Sequence, residues 1–377
     1  MRKNIIMILK YISWMLVIGS IIGTVVYFNV YDRMTRAPLK VLWVDSPYAR
    51  DLRNILDEFT DRTNISVQVD SVPRELYREA ITRDLDTLDQ AYDIVIGEAV
   101  WASQDISRNY YADIGDLVRD SWLFKTYSPA TDGEIFVRKN GAYYGMPVAL
   151  DVFGIVYAEG EPAPETLEGL TGGSLVPVQV SGELTHTFLA LLVAQGGAFA
   201  DRDGKLSRAS LTSDVAQEVL ETLRAMSTSG ALPLLGRTEH LRRDAAQEGS
   251  FAPLPGKGSS VYAVRYLAQF VEGSKNPRAA RALLAWLGTK QAHDFMQEEN
   301  GASLVAAARD DTLSREHSAT RPTAAVPVQF FTHENAAEML RLAENYLASY
   351  RDGTTKFTAQ ETLETIATAW EKELSPK

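Results

Sequence analysis

The chain has no cysteine among its 377 residues. This absence excludes disulfide bonds, thiolate zinc sites, a cysteine nucleophile and a lipid-modified N-terminal cysteine. Histidine is scarce as well, and the five copies include no pair at the helical spacing of a metal site. The catalytic patterns GxGxxG, the Walker loop, HExxH and GxSxG are also missing. The sequence therefore predicts a binding protein without cofactor or metal, rather than an enzyme.

Positive charge is in short supply outside the N-terminus. The net charge is −11, and residues 1–40 contribute +5, which leaves −16 for the remainder. A body this acidic repels phosphate backbones, so nucleic acid is not a predicted partner.

Charge of either sign is absent from Tyr11–Tyr31, a run of 21 residues. This length suffices to cross a bilayer as one helix, and aromatic residues at both ends suit the membrane interfaces. A cleaved signal peptide is the alternative, but its nearest cleavage pattern, Thr35-Arg-Ala37, is followed by Pro38. We predict an uncleaved single-pass anchor in the cell membrane, and three Lys or Arg on each side of the span leave both orientations open.

Beyond this segment, strands alternate with helices. Lys40–Val44, Ile65–Val69 and Tyr92–Gly97 have the pattern of strands, and the stretches between them repeat apolar residues at helical spacing. Such alternation predicts an α/β fold with a parallel sheet, whose ligand crevice lies beyond the carboxyl ends of the strands.

Polar and aromatic residues follow these strand ends. Ser46 and Tyr48 come after the first strand, and Glu98 and Trp101 come after the third. Hydroxyl, carboxylate and ring groups at one edge suit a polyhydroxylated ligand, which stacks on aromatics and hydrogen-bonds to carboxylates. A place in the core is the alternative for Trp101.

The stretch Tyr143–Tyr157 is nearly continuous apolar sequence with β-branched residues, which predicts a buried strand. Asp151 is the acid inside it. An ionised carboxylate in apolar surroundings needs a partner or water, so we expect Asp151 to face a cleft. Capping of a local turn is the alternative.

Several segments, taken in order, resemble the family 1 extracellular solute-binding proteins of ABC importers, the maltose-binding-like group. The resemblance covers most of residues 40–375. Its segments are Val41 to Thr60, Asp93-Ile-Val-Ile with Trp101, Tyr110-Tyr-Ala-Asp-Ile-Gly-Asp-Leu, Tyr144-Gly-Met-Pro-Val-Ala-Leu-Asp151, Gly196-Gly-Ala-Phe-Ala-Asp-Arg-Asp-Gly-Lys205, Gly273-Ser-Lys-Asn-Pro277 and Asp352-Gly-Thr-Thr-Lys356.

The resemblance implies a two-lobed, periplasmic-binding-protein-like type II α/β fold that closes on its ligand about a hinge. It places the first crossing between lobes at 147–153 and the second at about 259–268. The expected division is 1–39 for the cytoplasmic stub, anchor and linker, 40–148 plus 265–312 for the N-lobe, and 149–264 plus 313–377 for the C-lobe.

The same resemblance extends the expected ligand site. Asp151 falls at the hinge, where family members accept ligand hydroxyls, and Glu183 and His186 fall where they place polar contacts. Tyr262 lies near the second crossing. Phe330 and Phe331 lie where the family places an aromatic against a ligand ring. A solvated surface position is the alternative for His186, and core packing is the alternative for the two phenylalanines.

One segment departs from the family. Leu232–Pro255 is shorter than its counterpart in related proteins, and its mostly polar part, Gly236–Glu248, is interpreted as a solvated connector or short helix. The C-lobe is therefore expected to be shortened, with an altered pocket.

Together with the predicted anchor, the resemblance implies a membrane-anchored receptor whose soluble part is periplasmic or extracellular. This receptor would bind a small polar ligand, a sugar or oligosaccharide, and pass it to ABC permease subunits. A degenerate relative that acts as a sensor or interaction module at the membrane is the first alternative. A glycoside-active enzyme is the second, and it would need two carboxylates across the cleft.

Overall fold

The computed structural model describes residues 14–21, 23–24, 37–45, 48–86, 91–131, 136–175, 183–200, 206–226, 232–237, 249–256, 262–300 and 333–374. Within these ranges, no helix combines the length and the apolar character that crossing a bilayer requires. Residues 14–21 and 23–24 are helical, and the rest of the predicted span Tyr11–Tyr31 lies outside the described ranges.

The first part of the described chain alternates strands and helices. In chain order these elements are β1 (Leu39–Val44), α1 (Tyr48–Thr63), β2 (Val67–Val72), α2 (Arg74–Asp86), β3 (Ile94–Glu98), α3 (Ala99–Ser107), α4 (Gly115–Asp120), α5 (Trp122–Thr131), β4 (Arg138–Lys139), β5 (Ala142–Tyr143) and β6 (Met146–Ala158). Strand β1 pairs in parallel with both β2 and β3, which confirms the predicted parallel arrangement.

The second part contains more helix than strand. Its elements are β7 (Ser174–Leu175), α6 (Glu183–Ala194), α7 (Arg208–Leu211), α8 (Asp214–Ala225), β8 (Leu234–Arg237), β9 (Gly249–Pro253), β10 (Ala263–Phe270), α9 (Pro277–Leu287), α10 (Lys290–Asn300), α11 (Ala336–Arg351) and α12 (Ala359–Leu374).

Strand β6 is shared between two parts of one sheet. Among the described residues, eight strands follow the order β2-β1-β3-β10-β6-β8-β7, with β9 also paired to β6. The first half of β6 pairs with β10, and the second half pairs with β8 and β9. We call β1–β3 and β10 with their helices α1–α5, α9 and α10 the first lobe. Strands β7–β9 with α6–α8, α11 and α12 form the second lobe.

The core of the first lobe is built on β1. Trp43 is buried in the middle of this strand and stacks on Tyr266 of β10 with ring centroids 6.2 Å apart. Helix α1 packs over the sheet with Ile55 and Phe59, which are buried at the predicted i, i+4 spacing. The stacking on Trp43 holds the Tyr266 ring in a fixed place.

Asp93 ties two distant segments of the first lobe together. Its Oδ1 accepts hydrogen bonds from Ser274 Oγ over 2.6 Å and from the Asn276 backbone N–H over 3.0 Å. Its Oδ2 accepts from the Lys40 backbone N–H over 2.9 Å. Since α9 begins directly after Asn276, this carboxylate positions that helix against the sheet.

Helix α6 is the buried centre of the second lobe. All of its residues are buried, although most helices expose one face. Its N-terminus is capped by another helix: Glu344 of α11 accepts from the backbone N–H groups of Leu184 and Thr185 over 3.2 and 2.7 Å. A carboxylate at a helix N-terminus satisfies otherwise unpaired donors and the helix dipole. This contact fixes the start of α6, where Glu183 lies.

The interpretation of Gly236–Glu248 as a connector or short helix is wrong at its first residues. Gly236 and Arg237 belong to β8, which pairs with β6 through Gly154 and Phe153. The strand was missed because four residues are too few to show alternation, and an arginine is not expected in a core. Residues 238–248 lie outside the described ranges.

The lobe boundaries at 148/149, 264/265 and 312/313 stay a prediction. Residues 301–332, which contain the third of these boundaries, lie outside the described part. Helix α10 packs on α1 of the first lobe, whereas α11 packs on α6 and α8 of the second lobe. Helix α11 also contacts α3 across the space between the lobes.

His293 in α10 gives the first lobe a pH-dependent stability. The imidazole is buried beside Trp122, and burial lowers the pKa of His293 to about 4. Because the unfolded chain keeps a histidine pKa of about 6.5, it binds more protons than the native state between these values. Stability is therefore lost as pH falls through this window, by about 2 kcal/mol between pH 7.5 and 5 from this residue.

Urea unfolding curves across this pH range test the effect. His293→Phe is expected to remove this share of the acid-induced loss, while Trp122→Phe, which keeps the histidine, retains it. Parallel pH dependence in the wild type and His293→Phe would contradict the assignment.

Candidate ligand site between the two lobes

Four charged residues at the ends of four elements meet between the lobes. Arg74 begins α2 and Glu98 ends β3 in the first lobe, while Glu183 begins α6 and Arg237 ends β8 in the second. We call these four residues the inter-lobe charge cluster. The side chains of Glu98 and Arg237 are each only 1% exposed.

Arg237 binds both carboxylates of the cluster. Its Nε donates to Glu183 Oε1 and its Nη1 donates to Glu98 Oε1, each over 3.0 Å. Nη1 also donates to Tyr266 Oη over 3.1 Å, and Nη2 lies 2.9 Å from Glu183 Oε2. The second oxygen of Glu98, Oε2, accepts from Arg74 Nη2 over 2.6 Å. Arg74 Nη1 is 4.0 Å from Glu183 Oε2. Each carboxylate therefore lies near arginines from both lobes.

The charges of the cluster balance, two positive against two negative. A buried carboxylate without such partners would carry a large desolvation cost. Burial raises the pKa of Glu183, and the positive charges of Arg237 and Arg74 act in the opposite direction. The two arginines therefore allow the carboxylates of Glu98 and Glu183 to lie close together in a region nearly excluded from solvent.

His186 lies one turn after Glu183 on α6. Its Nδ1 shares a hydrogen bond with Tyr262 Oη, and the two ring centroids are 5.8 Å apart. Burial lowers the pKa of His186 well below its ordinary value, an effect that Arg237 and Arg74 reinforce. Burial also raises the pKa of Tyr262 well above its usual range. Both groups are neutral at pH 7, and the alternative of a solvated surface position for His186 is wrong.

Trp101 lies in α3, which follows Glu98 directly. Its indole packs on Tyr77 with ring centroids 4.9 Å apart, and the Arg74 guanidinium carbon lies 5.4 Å from the indole centroid. The side chain is 9% exposed, so it is mostly packed. Trp101 is thus both part of the core and part of the surface that faces the second lobe.

A cavity of about 380 Å³ lies beside the charge cluster, where α2 and α3 face α6 and α11. Trp101 and His186 are both in its wall. The lining residues are Arg74, Arg78, Val100, Trp101, Gln104, His186, Glu334, Asn335, Ala337, Glu338, Leu340 and Arg341. Aromatic, amide, guanidinium and carboxylate groups therefore surround one space between the lobes.

Arg78 is held rigidly in this wall. Its Nη1 and Nη2 donate to the two oxygens of buried Asp105 over 2.6 and 2.8 Å, and Nη2 also donates to Gln104 Oε1 over 3.0 Å. A bidentate arginine–carboxylate pair fixes the guanidinium plane. The Gln104 amide is oriented by the same contact.

The structure brings part of the predicted site together: Glu98, Trp101, Glu183, His186 and Tyr262 lie around the cluster and the cavity. The remaining predicted residues are not placed. Ser46, Phe330 and Phe331 lie outside the described residues, and the side chains of Tyr48, at the start of α1, and Asp151, in β6 opposite Val264, lie outside the described part as well.

Arg74 and Arg237 were missed by the sequence reasoning. Their contacts span 24 and 139 residues of sequence to Glu98, so no local pattern marks them. One physical signal was available: two acids expected to face one cleft need nearby cations unless water reaches both. That requirement points to arginines at the ends of neighbouring elements.

A metal site is not indicated by the described part of the chain. Within the described ranges, no group of three or more His, Asp or Glu side chains could hold an ion.

Part of the chain is similar to a known protein family. The family model described as bacterial extracellular solute-binding protein matches residues 46–232. No curated protein sequence matches the chain significantly.

Solved structures match nearly the whole chain. An ABC transporter solute-binding protein from Thermotoga lettingae, bound with α-D-tagatose, is 14% identical with a TM-score of 0.74 and covers 90% of this chain and 100% of its own. The GacH receptor of Streptomyces glaucescens is 14% identical with a TM-score of 0.71 and covers 90% and 99%. An Agrobacterium radiobacter solute-binding protein in complex with ribitol is 16% identical with a TM-score of 0.67 and covers 89% and 98%. The two-lobed type II periplasmic-binding-protein-like α/β fold predicted above is confirmed.

Gly97 provides the space that Tyr77 needs beneath Trp101. A Cβ at position 97 would lie 2.2 Å from Tyr77 Oη and 2.7 Å from Tyr77 Cζ. Gly97→Ala must therefore displace the Tyr77 ring, which packs on Trp101, and we expect a loss of ~1–3 kcal/mol in the free energy of unfolding.

Urea unfolding of Gly97→Ala and Tyr77→Phe tests this packing. Among the described residues, Tyr77 Oη has no hydrogen-bond partner, so Tyr77→Phe should cost much less than Gly97→Ala. A Gly97→Ala variant as stable as the wild type would contradict the packing described.

Proposed function

We propose that this chain, which belongs to the bacterial extracellular solute-binding proteins through residues 46–232, binds a small polar solute between its two lobes and delivers it to an ABC importer. A sugar or polyol is the proposed class of solute. The cavity between α3 and α11, with Trp101 in its wall, is the observation that carries the proposal. Proteins of this family are binding proteins, not enzymes, in agreement with the absence of catalytic motifs.

The chemistry of the cavity suits a polyhydroxylated ligand. An indole offers an apolar face for the C–H groups of a sugar. Gln104, Asn335 and His186 offer neutral hydrogen-bonding groups, and Arg78 and Arg341 offer donors. The volume of about 380 Å³ falls in the lower part of the range for small-molecule sites. This size favours a monosaccharide or a polyol over a long oligosaccharide.

Solved relatives support the same class. The Thermotoga lettingae protein was crystallised with α-D-tagatose and the Agrobacterium radiobacter protein with ribitol. At identities of 14% and 16% these proteins share the fold, and their ligands serve here as a choice of probes.

The site residues proposed for solute contact are those expected from the sequence, with one difference in role. Trp101 and His186 line the cavity, whereas Glu98 and Glu183 are already bound by arginines. Ser46, Tyr48, Asp151, Tyr262, Phe330 and Phe331 remain proposed contacts.

The N-terminal segment is proposed to anchor the protein in the cell membrane. The support is its sequence: 21 uncharged residues flanked by basic residues on both sides. An anchor would keep the binding domain on the extracytoplasmic side, close to permease subunits.

A degenerate relative that serves as a sensor or interaction module is a second candidate. The observation that favours it is the charge cluster, because Glu98 and Glu183 already form ion pairs with Arg74 and Arg237. A chain of this kind would close without solute and bind none of the probes.

Calorimetric titration of the purified chain with ribitol, D-mannitol and D-tagatose tests solute binding. Where a probe binds, Trp101→Ala should weaken it by about tenfold or more, since the stacking face is lost. Trp122→Ala is the matched control, because this tryptophan lies in the same lobe outside the cavity wall. Equal affinity in wild type and Trp101→Ala would remove the cavity from the site, and no binding across a wider sugar panel would favour the sensor.

Membrane fractionation tests the anchor. The full chain should stay with the membrane after high-salt and carbonate washes and be released by detergent, because its attachment is hydrophobic. Deletion of residues 11–31 should yield a protein released without detergent. A shorter protein in the soluble fraction, with cleavage near residue 37, would support the signal-peptide alternative instead.

A further inference from the structure

We propose that Arg237 is an intramolecular ligand that holds the two lobes closed in the absence of solute. The role of this contact in solute uptake rests on the proposed function. The contacts within the inter-lobe charge cluster support the proposed role of Arg237.

The contacts of Arg237 cross from one lobe to the other. Its strand, β8, pairs with the second half of β6 and with β7, so Arg237 belongs to the second lobe. Glu98 ends β3 and Tyr266 lies in β10, so both partners of Arg237 Nη1 belong to the first lobe. Separation of the lobes would break both bonds. The 4.0 Å approach of Arg74 to Glu183 crosses the lobes in the opposite direction.

The surroundings of Arg237 resemble those of a bound solute. The guanidinium lies over the Phe153 ring, with Cζ 6.0 Å from the ring centroid. Carboxylates from each lobe and a phenol bind its edge. A ring beneath a planar group and acids around its edge form the type of site that the sequence predicted for a polar ligand. Here the chain itself supplies the group.

Both lobes can separate without leaving a buried ion unpaired. Arg74 and Glu98 pair within the first lobe, and Arg237 and Glu183 pair within the second. When the lobes separate, each lobe therefore exposes one Arg–Glu pair with no net charge. When the lobes close, the two pairs meet so that positive and negative side chains alternate. The bonds gained on closing are charge-assisted and nearly dry, which makes them stronger than neutral hydrogen bonds. The ion pairs between the lobes can therefore form and break reversibly, and they favour the closed arrangement.

The packing around the cluster supports closure at the same place. Helix α11 of the second lobe contacts α3 of the first. The cavity therefore lies beside a direct contact between the two lobes.

Distance measurement between the lobes tests the proposal. Because the chain has no cysteine, Glu79→Cys on α2 and Asn345→Cys on α11 introduce two unique sites for spin labels, both at exposed positions. Pulsed electron paramagnetic resonance on the full chain in detergent, without solute, should give one short distance that ribitol or D-tagatose does not shorten further. Arg237→Met should add a longer distance, with the ratio of closed to open molecules reduced by about tenfold or more.

Two further variants make the result decisive. Arg208→Met breaks the exposed pair with Glu371 on the second lobe and should leave the distances unchanged. Glu98→Gln keeps the shape of Glu98 but removes its charge, and should open the lobes even where Arg237→Met fails to fold, as judged by near-ultraviolet circular dichroism.

The outcomes separate this inference from the proposed function. A long distance in the solute-free wild type that shortens with solute would overturn the role of Arg237 while supporting solute binding. Wild-type distances in folded Glu98→Gln and Arg237→Met would also overturn it. A short solute-free distance that lengthens in these variants, with no binding of any probe, would uphold the intramolecular ligand and contradict solute binding.

Discussion

A carboxylate that is nearly excluded from water sets the geometry between the lobes. Glu98 ends β3 at the sheet edge, and its burial can be tolerated only because Arg74 and Arg237 bind its two oxygens. Arg74 must then begin α2 beside it, and Arg237 must reach it from β8. The positions of three elements therefore follow from the pairing of one acid.

Strand β6 makes this pairing possible. It belongs to both lobes, since one half pairs with β10 and the other half with β8 and β9. Tyr266 of β10 and Arg237 of β8 are consequently carried toward the same region from opposite sides of one strand. The Trp43 ring packs behind Tyr266, and the Phe153 ring lies beneath Arg237. These contacts fix the positions of the Tyr266 and Arg237 side chains.

Much of the fold was predictable because it depends on local periodicity. The parallel strands β1–β3, the buried strand β6 and the amphipathic helices all show their pattern in the sequence. Asp151 illustrates the limit of that method: the sequence predicts its strand, but the pattern contains no information about where its side chain points. Arg237 illustrates a second limit, since an arginine in a four-residue strand gives no sign of burial. Its partner Glu98 is 139 residues away, and only the balance of charge in a closed space connects them.

The proposed role in solute uptake requires that a polar solute binds in the cavity between the lobes. Hydrogen–deuterium exchange of the full chain, with and without a saturating probe such as D-tagatose or ribitol, tests it most directly. Solute binding in the cavity predicts slower exchange in α3, the start of α6 and the start of α11, which line the cavity, and unchanged exchange in α9 and α10. Protection confined to other elements, or no protection with any sugar or polyol, would contradict it.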